Sequence, residues 1–123
     1  MTQEPALTKA DLAQFYGTEN WYEHPLGILY TDGVQFMAER GGAYWLIDAI
    51  ASWQSDPRIR DDRMLQAIQF WTLTVNPDCS AVLCCERDTN DVALTQEIEF
   101  TDFPLQSIRL YVEDGVLLLP SEH

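Results

Sequence analysis

The sequence predicts an α+β fold: helices in the N-terminal half packed on one face of a C-terminal antiparallel β-meander of four to five strands. Apolar residues recur at helical spacing as far as about Gln54. From Gln66 onward the period shifts to that of strands, with β-branched and aromatic residues in short runs. Links of two to eight residues, rich in Asn, Asp, Pro and Gly, separate those runs, which suits neighbouring antiparallel strands. The chain reads as a single domain over 1–123, with residues 1–7 as a tail, and shows no internal repeat.

The helices are built around Gly41–Trp53. Leu46, Ile50 and Trp53 fall on one face of that stretch, and Tyr44, Ile47 and Ala51 on another. A helix apolar on most sides is buried by what surrounds it. Asp48 is its one carboxylate. Before it, Thr8 and Asp11 have the spacing of a capping box, and Gly17 is placed to end the helix they open. Thr18–Gly27 is a turn-rich, aromatic loop in which His24, preceding Pro25, is extended. Ile28–Tyr30 is a brief strand or extended lead-in. Thr31-Asp-Gly33 opens a second helix to about Arg40, with Val34, Phe36 and Met37 on its apolar side. Asp56-Pro57 stops the central helix, and Arg58–Arg63 is a charged turn or short helix.

Residues 67–75 form the first long strand, 81–87 the second and 94–100 the third. In the third, Leu94, Gln96, Ile98 and Phe100 face inward against Thr95, Glu97 and Glu99. Ile108, Leu110 and Val112 point inward from a fourth strand, with Arg109 and Tyr111 outward. Glu113-Asp-Gly115 then turns the chain into Val116–Leu119.

The 123 residues suffice for a core without staples, and a 46% hydrophobic composition with four Trp, five Tyr and five Phe excludes disorder. No 18-residue apolar run is present, and the N-terminus has neither basic nor apolar leader character, so neither a membrane span nor a secretory signal is expected. Three cysteines, at 79, 84 and 85, form no disulfide framework and suit reduced thiols in the cytoplasm. Twenty acidic residues oppose seven basic ones, a formal charge of −13. That field repels nucleic acid and anionic membranes and favours a basic protein partner.

Sequence motifs for chemistry are few. Neither His-Glu-x-x-His, Cys-x-x-Cys, Gly-x-Ser-x-Gly nor a phosphate loop occurs, so no metal site, cofactor or catalytic residue is assigned. His24 with Glu23 and Asp32 has the residue types of an acid–base or metal site; the simpler reading is a histidine that satisfies a backbone group where the loop folds onto the helices. Asp48 must face solvent or find partners, with Arg40, Arg63 and the Thr18 or Tyr22 hydroxyl as candidates. Cys84 and Cys85 read as small packing residues. Phe15, Tyr16, Trp21, Tyr22, His24, Pro25 and Tyr30 concentrate rings in sixteen positions, able to line a pocket, form an interface or cap the core. Candidate ligand- or partner-binding residues are therefore Tyr16, Trp21, Tyr22, His24, Tyr30 and Asp48.

The strings Phe15-Tyr-Gly-Thr-Glu-Asn-Trp-Tyr-Glu-His24, Leu29-Tyr-Thr-Asp-Gly33, Gly41-Gly-Ala-Tyr-Trp-Leu-Ile-Asp48, Phe100-Thr-Asp-Phe-Pro-Leu105 and Leu118-Leu-Pro-Ser-Glu122 resemble a family of small bacterial proteins of unknown function. The resemblance implies a bacterial, intracellular protein and brings no activity, cofactor or catalytic residue. Glu23 stands where that family carries a basic residue, which argues against an anion-binding loop.

Three functions follow for comparison. The favoured one is a non-enzymatic accessory or interaction module, working through the aromatic loop and helix rim on a protein partner or a second copy. The second is an acidic mimic of nucleic acid that occupies a basic DNA- or RNA-binding protein, although the carboxylates are scattered. The third is an enzyme centred on His24, Asp48 and Tyr22.

Overall fold

The computed structural model describes residues 7–15 and 20–123. Its class is α+β, but the sheet is larger and differently wired than a four- to five-stranded C-terminal meander. Seven strands form one mixed sheet: β1 (Trp21–Glu23), β2 (Leu29–Thr31), β3 (Ile68–Val75), β4 (Ala81–Asp88), β5 (Asp91–Ile98), β6 (Ser107–Glu113) and β7 (Val116–Leu118). Their spatial order is β1-β2-β7-β6-β3-β4-β5. Only β3, β4 and β5 run as a meander. β6 returns past them to pair with β3, with Trp71 opposite Leu110, and β2 runs parallel to β7.

Of the two short N-terminal strands, β1 was not expected, and β2 makes Ile28–Tyr30 a brief strand, shifted by one residue, and not an extended lead-in. Three residues are too few to display a period of two, and their tertiary pairing makes them strands. The turn into β7 holds Asp114 at φ +51° and Gly115 at φ +80°, the left-handed pair that matches the twist of a two-residue hairpin.

Among the described residues, five α-helices lie between and beside these strands, α1 (Lys9–Ala13), α2 (Asp32–Gly41), α3 (Tyr44–Trp53), α4 (Pro57–Arg60) and α5 (Arg63–Ala67), and a 3-10 turn follows β7 at Pro120–Glu122. The Thr8–Asp11 capping box forms at α1, which ends at Ala13; Gly17, the expected terminator, lies outside the described residues. α2 is closed by Gly42 at φ +61°. Asp56-Pro57 does more than stop α3. Asp56 accepts the Arg58 N–H and Pro57 occupies the first turn, so the same pair starts α4. α5, capped by Asp62, falls just before the first long strand, where the pattern shows no helix of this size.

The register puts Trp71, Cys85 and Leu110 in one inward row, and Leu73, Leu83 and Ile108 in the next. They join Val34 and Met37 of α2 and Leu46, Ile47 and Ile50 of α3 in one apolar cluster. The opposite sheet face carries Phe70, Thr72, Cys84, Arg109 and Tyr111, half-buried or exposed. Phe100, expected inward, is 69% exposed because β5 ends at Ile98. Tyr44, at the start of α3, is likewise exposed. A polar network is buried in the core: Gln69 exchanges two hydrogen bonds with Gln54 and accepts from the Trp71 indole at 2.8 Å.

Candidate functional site

The sequence candidates separate into three places. His24 and Asp48 are brought together. β1 delivers His24 into a turn in which its own N–H donates to the Ile28 carbonyl and the Gly27 N–H donates to its carbonyl. The ring is buried, and its Nδ1 accepts the Leu26 N–H at 3.0 Å. That bond leaves the proton on Nε2, which donates to Asp48 Oδ1 at 2.7 Å. Both nitrogens are then occupied, one by backbone. A general base needs a free ring nitrogen facing the substrate, and this histidine offers none. Glu23 and Asp32 do not join it. Asp48 sits on the rim, its side chain 69% exposed, and takes His24; the Tyr22 hydroxyl, one of its candidate partners, goes to Asp32 instead. Thr18, another expected partner, lies outside the described residues, and Arg40 stacks over the Phe36 ring.

Tyr22 and Tyr30 are register partners on neighbouring strands, and their rings stack at 5.5 Å between centroids. The Tyr22 hydroxyl donates to Asp32 Oδ1 at 3.1 Å, and the Asn20 N–H donates to Oδ2. That hydrogen bond to a carboxylate holds the Tyr22 phenol above its ordinary ionisation range, with smaller contributions from burial and the Asp32 charge. Tyr44, exposed overall, is also raised, chiefly by the partial desolvation of its hydroxyl against neighbouring groups and then by the Glu39 charge. The two tyrosine candidates thus brace the entry to α2. Phe15 packs on Phe36, with centroids 5.2 Å apart, as a core cap. Tyr16 lies outside the described residues.

Trp21 stands apart from these. On β1 it alternates with Tyr22, so it projects to the other side of the sheet and remains 54% exposed. It lines a hollow of about 410 Å³ with Thr31, Glu113, Asp114, Val116, Leu118 and Glu122. Three carboxylates and an indole therefore share one concavity. Glu113 is held by His123 Nε2 at 2.9 Å. Glu122 accepts the Thr31 hydroxyl at 2.6 Å and the Leu119 N–H at 3.0 Å, and its second oxygen takes the Gly33 N–H in the first turn of α2. A Cβ on Gly33 would lie 2.6 Å from both Glu122 Oε1 and Leu119 Cδ1, so a side chain there would push the Glu122 carboxylate or the leucine aside.

Sequence reading missed Glu113, Asp114 and Glu122 as members of these sites, and it grouped Asp32 with His24, whereas Asp32 pairs with Tyr22 and Asn20. The Leu-Leu-Pro-Ser-Glu string ending at Glu122 was the one available pointer; the other contacts depend on pairings of remote segments. The thiols are poorly suited to nucleophilic work: burial pushes Cys85 up to about 12, and burial with the Glu86 charge raises Cys84. Among the described residues, no three His, Cys, Asp or Glu side chains converge as a metal-binding set. Likewise no described helix is long and apolar enough to cross a membrane.

No curated protein and no solved structure matches the chain. A family model does, over residues 6–123, nearly the whole chain and all of the elements described above. The expectation of a family of unknown function therefore holds: the chain belongs to DUF6876, a family of unknown function.

Proposed function

We propose that this protein is a non-enzymatic interaction module that recognises a basic segment of a protein partner through the hollow around Trp21. One observation carries this reading: an exposed indole shares a concavity with Glu113, Asp114 and Glu122. An indole face attracts a lysine or arginine head group, and neighbouring carboxylates strengthen the attraction. Trp and Arg are also the residues that dominate interface energetics. The charge of −13 supports the choice by raising the encounter rate with a basic partner.

The enzyme reading loses its base, because His24 has both ring nitrogens engaged. The mimic reading is weakened where carboxylates are neutralised internally. Asp56 and Asp61 pair with Arg58 and Arg60, and Asp62 and Asp91 with Arg87. The first two are held below the usual carboxylate range mainly by those hydrogen bonds.

Capture from a bacterial lysate on immobilised wild type and Trp21→Ala, at low and high salt, tests the proposal. A basic protein retained by wild type and lost from Trp21→Ala and at high salt is the expected outcome. Identical retention by both proteins would refute the hollow as the contact.

A further inference from the structure

A second concavity, remote in chemistry from the Trp21 hollow, has the opposite charge. It measures about 320 Å³ and lies between α1, the start of β6 and the chain after β7. Its floor is apolar, with Leu12, Leu105 and Leu119 among its residues, and its polar lining includes Lys9, Arg109 and Ser121. No Asp or Glu lines it among the described residues, in a chain with twenty of them. Arg58, Arg60 and Arg87 each hold an aspartate. Arg109 instead lies over the Phe70 and Tyr111 rings at 5.9 Å, and Lys9, the sole lysine, contacts no carboxylate among the described residues.

We infer that this pocket binds a small anion with an aliphatic body, such as a medium-chain monocarboxylate. The chain would lie on the leucine floor, while Arg109 and Lys9 meet the carboxylate; the Ser121 hydroxyl beside them keeps its bond to the Leu12 carbonyl at 3.3 Å. Global charge opposes such a ligand, but charges more than about 8 Å away are largely screened at physiological salt, so the two local cations decide. The volume falls at the small end of the ~300–1,000 Å³ range of ligand pockets, which excludes a two-chain lipid.

Calorimetric titration with decanoate, decanol and decyltrimethylammonium tests this. Decanoate should bind saturably at one site, at least about tenfold tighter than decanol, and the cation should not compete. Lys9→Gln and Arg109→Gln should each weaken decanoate by about 2–5-fold, the effect of a partly exposed ion contact, and leave decanol unchanged. Both side chains lie at the surface, so unchanged melting curves should accompany those losses. Equal affinity for decanoate and decanol, indifference to both substitutions, or no saturable binding would each overturn the inference. Sedimentation with phosphatidylglycerol vesicles in place of decanoate binding would also overturn it, in favour of a membrane surface.

Discussion

Replacing His24 by alanine should destabilise the fold far more than replacing its partner Asp48. The ring is buried, and its Nδ1 satisfies the Leu26 N–H at 3.0 Å. Losing that bond costs about 0.5–1.5 kcal/mol, and removing the apolar part of a buried ring roughly another 1–2 kcal/mol. The bond to Asp48 is short, at 2.7 Å, but the carboxylate is 69% exposed, and solvent screening holds such a pair to about 0.2–1 kcal/mol. His24→Ala should therefore lose about 2–4 kcal/mol and Asp48→Ala less than about 1 kcal/mol. Urea denaturation followed by tryptophan fluorescence would measure both, and the double variant would isolate the pair. Native-state hydrogen exchange adds a local readout: the Leu26 and Gly27 amides should exchange faster in His24→Ala while those of β3 keep their protection. Equal losses for the two variants, or a silent His24→Ala, would mean that the ring does not clasp the turn.

Three further outcomes follow from the same structure. Gln69→Ala should cost about 1–3 kcal/mol for the orphaned Trp71 indole N–H alone, because that side chain is fully buried; a loss below half of the lower figure in chemical denaturation would contradict the network. Ile50→Ala should cost about 2–5 kcal/mol, whereas Glu97→Lys on the exposed sheet face should stay within about half a kcal/mol, and reversal of that order would invert the faces assigned here. The Tyr22 phenol, followed by ring NMR, should ionise above its ordinary value of 10.0, and Asp32→Asn should bring it down. A raised folded-state value means that this contribution to stability is complete below the unfolded value and fades as pH rises through the folded one. A Tyr22 midpoint unmoved by Asp32→Asn would exclude the hydrogen bond as its cause.

Much of the helical architecture was legible because its signals are local. Thr8 with Asp11, the apolar faces of 34–37 and 46–50, and the Gly41-Gly42 break each act within a turn or two of chain. The strands β3, β4 and β6 were legible from runs of seven or eight β-forming residues, and the inward row of β6 from its alternation. What stayed hidden was remote. Leu29–Thr31, open in the sequence between a brief strand and an extended lead-in, becomes a strand by pairing with both Trp21–Glu23 and Val116–Leu118, and Phe100 loses its inward place when the chain leaves β5 to return toward β3. At the candidate site, His24 as a turn clasp followed from residue type and the next proline. Asp48 was named beside His24 from the sequence, but their hydrogen bond needed the docking of the turn against α3, and the grouping of Trp21 with Glu113, Asp114 and Glu122 needed the sheet order.

The most direct test is the affinity of a captured basic partner for wild type, Trp21→Ala and Glu97→Gln, titrated at the same salt. Glu97 lies on β5 and Trp21 on β1, the two opposite edges of the sheet, so Glu97→Gln removes one charge without touching the hollow. Trp21→Ala should weaken binding by about tenfold or more, and Glu97→Gln by less than about twofold. Equal binding by Trp21→Ala and wild type, or an equal loss in Glu97→Gln, would show that the partner responds to overall charge and not to the indole and its carboxylates.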